Sequence, residues 1–311
     1  MNVVSIGEVL WDLVGQEEHL GGAAFNFSAH LAKLGHKVSF ISAVGQDERG
    51  ERILERMPRM GLSTRYVKRV AEYPTGVVTV SLDAEGIPQY VIHRPAAYDF
   101  PLLTEDEVSE LFSSPVDWIY FGTLMQVSPA ARRLTMQLLD AARNVRRFYD
   151  INLRDACWDA SLLRELLPRA TMIKLNAAEA AEIERMLGGT LDSLEKFCRT
   201  CAARFGYDGV CVTNGEDGCA LLLNDEFVLA QGYTVEAKDT VGAGDAFAAA
   251  LVHGMGSGWP LSRIADFANR VGALVASRAG GVPSWSVAEA EALRPGANPH
   301  SDSQSQHRET A

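Results

Sequence analysis

Asp239-Thr-Val-Gly-Ala-Gly-Asp-Ala-Phe247 is the stretch on which the reading of this chain turns. Two glycines and an alanine run directly into an acid, Asp245, and an apolar-periodic stretch from Ala246 to Met255 follows. The pattern predicts a glycine turn that opens a helix. The first N–H groups of a helix have no partner within it, and with the positive end of the helix dipole they make an anion site. A carboxylate beside a site meant for an anion needs a task of its own. A base next to an anion hole suits removal of a proton from a hydroxyl as it attacks a phosphoryl group. The plainer reading of the same residues is a turn followed by an ordinary first-turn acid.

A companion lies far upstream. It is the glycine-led stretch Gly21-Gly22-Ala-Ala-Phe-Asn26-Phe-Ser-Ala-His-Leu31-Ala-Lys-Leu-Gly35. The two stretches resemble, in order, the first and second signatures of the ribokinase-like, or PfkB, carbohydrate kinases. The resemblance runs from Val3 to Val287. It implies an α/β fold of ribokinase-like type, a three-layer α/β/α arrangement with a mostly parallel central sheet and a small β-sheet lid. It also implies ATP-dependent phosphorylation of a sugar hydroxyl.

Composition sets the outer bounds. The 311 residues suffice for one large α/β domain, and 47% hydrophobic with 22% charged residues is ordinary for a globular protein. A net charge of −11 with no basic cluster argues against nucleic acid as a partner. No run of 18 apolar residues appears, so no membrane partner is expected. Strand-like Val3-Val-Ser-Ile6 begins near the N-terminus without the basic and apolar regions of a signal peptide, so a cytoplasmic protein is expected. The five cysteines lack framework spacing. Cys198-Arg-Thr-Cys201 lies in a helical pattern with no second Cys or His pair near it, which favours buried thiols over a zinc or redox site.

Strand-like and helix-like segments alternate along most of the chain, as in a parallel sheet with helices on its faces. Strands are expected at Val38–Ala43, Trp118–Phe121, Phe148–Ile151, Met172–Leu175 and Val210–Thr213. Helices are expected at Glu48–Met60, Ala130–Arg143, Asn176–Leu187, Asp192–Phe205, Ala243–Met255 and Leu261–Ser277. Gly76–Leu82 and Pro88–His93, joined by Asp83-Ala-Glu-Gly86, read as a β-hairpin that breaks the alternation. With strand-like Val9–Val14 it forms the lid that the resemblance implies, or else an edge hairpin of the main sheet. The organisation is one kinase domain over 1–294, with the lid drawn from 9–20 and 74–95. A Ser-, Gln- and charge-rich tail at 295–311 is expected to be disordered.

The candidate chemistry follows residue by residue. Asp245 is the candidate base, and Gly242, Ala243 and Gly244 supply backbone donors to the transferred phosphoryl group. Gly21, Gly22 and Asn26 form a candidate sugar platform, since Asn26 offers both a donor and an acceptor to a diol. Asp12 is the matching acid by resemblance, or a surface strand acid on its own. Asp150-Ile-Asn152-Leu-Arg154 ends a strand, and its alternation points the three polar groups the same way. It resembles the Asp-Pro-Asn-x-Arg segment of fructokinase-type members, with isoleucine in place of proline. Arg94, in Tyr90-Val-Ile-His-Arg94, resembles the lid-to-core arginine of those enzymes. Arg94 and Arg154 are thus candidate sugar ligands, and fructose is the favoured sugar, ahead of ribose or 2-keto-3-deoxygluconate.

On the nucleotide side, Asn176-Ala-Ala-Glu179 resembles an Asn-x-x-Glu that organises Mg²⁺ partly through water, although Asn176 also suits a helix cap. Thr213, Gly215 and Gly218 fall in a strand–turn resembling the family's nucleotide loop, and Asn269 is placed near adenine by resemblance. Asp239, with carbonyls near Val241 and Ala279–Gly281, resembles a monovalent-cation site, expected to take K⁺. A homodimer through the lids would cover an exposed lid face. No Gly-x-x-x-x-Gly-Lys-Ser/Thr occurs, and no Gly-x-Gly-x-x-Gly follows the first strand, which removes the P-loop and dinucleotide routes.

Overall fold

The computed structural model describes residues 1–82, 88–142 and 144–294. In chain order the strands are β1 (Asn2–Ile6), β2 (Leu10–Val14), β3 (Glu17–Gly21), β4 (Lys37–Gly45), β5 (Val67–Val70), β6 (Gly76–Leu82), β7 (Pro88–His93), β8 (Trp118–Gly122), β9 (Arg146–Asp150), β10 (Met172–Asn176), β11 (Gly209–Thr213), β12 (Cys219–Leu223) and β13 (Glu226–Ala230). The α-helices are α1 (Ala23–Lys33), α2 (Glu48–Arg56), α3 (Glu105–Leu111), α4 (Pro129–Ala141), α5 (Ala160–Leu166), α6 (Ala177–Met186), α7 (Leu194–Phe205), α8 (Ala243–Gly256), α9 (Leu261–Ala276) and α10 (Val287–Ala292).

Nine strands form the main sheet in the order β13-β12-β11-β10-β9-β8-β1-β4-β5. Pairing is parallel from β11 through to β5 and antiparallel at β11–β12 and β12–β13. The central strands are apolar runs because helices cover both faces. Alternation along each strand sorts its side chains between two cores. Val3, Phe40, Trp118 and Phe148 pack with residues of α1, α2, α8 and α9. Val4, Ile41, Ile119 and Tyr149 pack with residues of α3 to α7. This is the expected three-layer α/β/α fold. The antiparallel edge β12–β13 and the short strands β3 and β5 were not anticipated from sequence.

A second, four-stranded sheet has the order β3-β2-β6-β7. The expected hairpin strands pair as β6 and β7, but β6 also runs parallel to β2, so the pair belongs to this smaller sheet and not to an edge of the main one. The small sheet is rooted on α2. Trp11 Nε1 donates to the Arg49 carbonyl at 3.1 Å, and Glu18 accepts from Arg49 at 2.7 Å and also pairs with Arg52. The hairpin turn Asp83–Gly86, the last residue of the expected helix, Arg143, and the tail 295–311 lie outside the described residues. Among the described residues, no helix is long and apolar enough to cross a membrane.

The chain leaves β1 toward β4 and β5, then returns to β8 on the other side of β1. Such a switch point opens a crevice at the carboxyl ends of the strands. The helix starts there are unusual. Side chains of Asp47, Thr104, Ser128, Asp159, Asn176, Ser193 and Ser286 cap seven helices. By contrast, α1, α8 and α9 begin at Gly22, Gly242 and Pro260 with no such cap from the N-cap residue, and the first two lie at the crevice.

Candidate active site

The crevice holds a cleft of about 360 Å³ whose lining brings together Asp12, Gly22, Asn26, Asn152, Arg154, Asn176, Glu179, Thr213, Gly242, Gly244 and Asp245. The small sheet contributes Leu10, Asp12, Val78, Tyr90 and Ile92, so it forms one wall of the cleft. A second hollow of about 390 Å³ adjoins it, and Thr213, Thr240 and Gly244 line both. Its walls include Tyr233, Val235, Ala237, Phe247 and Ala273, with Gly215 and Asn269 among the residues at its edge.

At the junction, Gly242 takes φ 79 and caps α8, and Asp245 sits in the first turn. A Cβ on Gly242 would lie 2.3 Å from the Gly281 carbonyl oxygen, so the close approach of that loop requires glycine. Asn26 Nδ2 donates to Asp245 Oδ2 at 2.9 Å. Burial pushes Asp245 up to about 6, with the Asp150 charge adding to it, while Lys174, Asn26 and Arg154 act in the opposite direction.

The sugar-platform glycines also serve local packing, and Gly22 lines the cleft. Gly22, at φ 112, lies where a Cβ would stand 2.5 Å from the Glu8 carbonyl oxygen. A Cβ on Gly21 would lie 2.6 Å from Asp12 Oδ2, and Gly21 itself does not line the cleft. These glycines let the backbone and Asp12 pack together. Burial raises Asp12 to about 6 despite the opposing charge of Arg154.

Three expectations need correction. Arg94 does not line the cleft; its guanidinium donates to the Leu124 carbonyl at 2.6 Å and pairs with Asp99, because the chain turns back at Arg94–Pro95 to rejoin the body. Asp150 does not point the same way as Asn152 and Arg154. Asn152 has φ 41, which ends the strand alternation, and Asp150 turns inward to Lys174 Nζ at 3.1 Å and Tyr120 Oη at 3.1 Å. Gly218 lines neither hollow; at φ 103 it packs against the Ala230 carbonyl, where a Cβ would lie at 2.0 Å.

The remaining residues sit as follows. Asn176 caps α6 by accepting from the Glu179 N–H at 2.9 Å, and Glu179 returns the bond to the Asn176 N–H at 2.8 Å. The other Glu179 oxygen accepts from the Leu153 N–H at 2.7 Å, and burial raises this carboxyl above its ordinary value. Asn269 Nδ2 donates to the carbonyls of Ala230 and Gln231. Asp239 accepts from the N–H groups of Val241 and Gly280, both at 2.9 Å, and ties their two loops together.

Two site residues escaped the sequence reading. Glu8 is buried, lines the cleft and accepts from the Ala23 N–H at 2.9 Å. Burial is the main cause that lifts it to about 7, and Asp245 adds to it. Lys174 is buried, lines the cleft and lies 3.2 Å from where a Cβ on Gly244 would be. Burial opposes its charge, but Asp150, Asp245 and Glu179 outweigh burial and hold it above its ordinary value. A lysine inside the apolar run Met-Ile-Lys-Leu, and an acid just past the first strand, were the available signals.

The model of the pfkB family carbohydrate kinases matches residues 2–288, and the chain belongs to that family. A protein named as a sugar kinase in Pyrococcus horikoshii is 28% identical over 94% of each chain. Its structure in complex with ATP superposes with a TM-score of 0.77, covering 90% of this chain and 93% of that one at 27% identity. Fructokinase-1 of Oryza sativa subsp. japonica is 26% identical over 94% of this chain and 96% of its own. The structure of 2-dehydro-3-deoxygluconokinase from Thermotoga maritima shares the fold with a TM-score of 0.83 at 20% identity, covering 94% of this chain and 98% of that one. The protein is an ATP-dependent sugar kinase.

Proposed function

We propose that this kinase transfers the γ-phosphate of ATP to the terminal hydroxyl of fructose. The observation that carries the reading is Asp245. It is a buried carboxylate at the uncapped start of α8, held by Asn26, where the two hollows meet. Asp245 takes the proton of the attacking hydroxyl, and the N–H groups of Gly242, Ala243 and Gly244 stabilise charge on the transferred group. Lys174 adds a fixed positive charge on the same side. The apolar second hollow suits a flat base, with Asn269, Thr213 and Gly215 beside it.

Asp12, Asn26 and Arg154 are the proposed sugar ligands, with Gly21 and Gly22 shaping the platform. Fructose is favoured by the fructokinase relative and by the Asn152-Leu-Arg154 segment lining the cleft. Ribose and 2-keto-3-deoxygluconate are the runners-up. A silent sugar- or nucleotide-binding protein is the reading from another class.

Mg²⁺ fits the carboxylate of Glu179. Each Glu179 oxygen already accepts one backbone N–H, which leaves lone pairs for metal-bound water. Among the described residues no group of three or more His, Cys, Asp or Glu gathers into a cage, so the ion would be held chiefly by phosphates and water. Once bound it screens the phosphate charge. K⁺ is assigned to the loops that Asp239 joins. Five free, buried thiols suit a cytoplasmic, reducing setting. Exposed Val14, Tyr90 and Val91 on the lid suit a homodimer through the lids, which sedimentation would test.

ADP release measured sugar by sugar, with the product position determined, tests the proposal. Another substrate outperforming fructose tenfold overturns the sugar and leaves the kinase. Release of no ADP with any sugar favours the silent protein.

A further inference from the structure

The loop at Ala279–Gly281 presses on the start of α8, and a buried pair of rings outside the cleft fixes where it lies. Trp285 Nε1 donates to His30 Nδ1 at 3.0 Å, and His30 Nε2 bonds the Gly281 carbonyl at 2.9 Å. An indole nitrogen can only donate. It therefore makes Nδ1 the acceptor and leaves the hydrogen on Nε2, directed at Gly281. Both rings are buried, His30 completely. Water therefore does not readily replace either bond.

Gly281 is tightly placed. Its carbonyl oxygen and Cα lie 2.3 and 2.5 Å from the position of a Cβ on Gly242. A Cβ on Gly281 itself would lie 2.7 Å from Asn26 Nδ2, the nitrogen that holds Asp245. A shift of Gly281 is thus a shift of Gly242 or of Asn26.

We infer that His30 is a positioning residue for phosphoryl transfer: with its tautomer set by Trp285, it holds Gly281 against Gly242 and so fixes the donors at the start of α8. The inference rests on reading Gly242–Gly244 as the anion hole. It also explains a histidine in the apolar interior of α1 and a tryptophan beyond the last core helix, neither of which touches the cleft.

The test compares three single variants and one double variant in steady-state kinetics with ATP and the best sugar of the panel. Leucine at position 30 leaves the Gly281 carbonyl and the Trp285 N–H unpaired. Misplacement by about 1 Å can cost about 10²-fold, so His30→Leu is expected to lower kcat at least tenfold, with sugar KM within about twofold. Glutamine keeps one donor and one acceptor, so His30→Gln is expected to recover most of that loss. Trp285→Phe removes the tautomer lock and is expected to lower kcat less than His30→Leu. The double variant should be no slower than His30→Leu alone.

Unchanged kcat in His30→Leu, equal losses in the Leu and Gln variants, or additive losses in the double variant would each overturn the inference. If His30→Leu does not fold, Trp285→Phe decides, and an unchanged kcat there is equally fatal. Asp245→Asn run alongside separates the two layers. If it stays active, the reading of the α8 start fails. If it is inactive while His30→Leu is fully active, only the positioning role fails.

Discussion

Asn26 and Asp245, 219 residues apart in sequence, are joined by a buried hydrogen bond of 2.9 Å. The amide nitrogen of Asn26 is spent on Asp245 Oδ2, and its carbonyl oxygen is buried without a protein partner. The bond holds the carboxylate in one orientation and favours its charged form against burial. Removing the donor in Asn26→Ala should raise the Asp245 pKa. The acid limb of the kcat/KM profile should then move to higher pH, and an unmoved limb would show that the amide does not tune the base.

Asp245→Asn should nearly abolish turnover while ATP still binds with close to its original affinity. A base of this kind contributes at least about 10²-fold, so calorimetric ATP binding with more than about a tenth of the original rate would contradict the role.

The pH dependence has a definite sign. A base is active when ionised, so activity should rise as pH climbs through about 6, where Asp245 titrates. Glu8 is raised from 4.5 to about 7, so the folded state holds its proton more tightly than the unfolded chain. Its stabilising contribution is complete below 4.5 and is lost as pH rises to about 7. Glu8→Gln should therefore gain stability relative to the parent over that window, by on the order of 3 kcal/mol at its upper end. Melting temperatures of the two proteins from pH 4.5 to 8 check this.

The lid should exclude water from the cleft. Ile92→Ala with Tyr90→Ala removes two of its cleft-facing side chains. Sugar KM and the ratio of ATP hydrolysed to sugar phosphorylated should both increase. If both quantities stay at parental values, the sheet does not act as a cover.

Cys198 and Cys201 lie buried on α7, and burial pushes both thiols up to about 12. Replacing both with alanine should leave kcat within about threefold, and native protein should resist alkylation at these positions. Rapid labelling or a lost activity would give the Cys-x-x-Cys a task in the reaction.

Much of this arrangement was legible in local sequence. Glycines before an apolar-periodic run marked the start of α8, because a glycine turn that opens a helix is a local signal. Alternating apolar segments marked the parallel strands for the same reason. Glu8 and Lys174 were missed because their significance is topological. Each matters only once β1 and β10 are known to end at the same crevice. Arg94 was misplaced because a resemblance carries a residue along the chain but not the local pairing with Asp99 that turns it away. Asp150 was misdirected because strand alternation was extended past the point where Asn152, at φ 41, leaves the extended region.

The late position of α8 and α9 in the chain has a consequence for biosynthesis. These helices cover the sheet face that carries Phe40, Trp118 and Phe148. A ribosome releases every strand of that sheet before it delivers residue 243, so the nascent protein passes through a stage in which only α1 and α2 shield that oily face and the rest of it is bare. Such a stage is prone to association. Yield in cells should therefore depend on holding chaperones more than the stability of the finished enzyme would suggest.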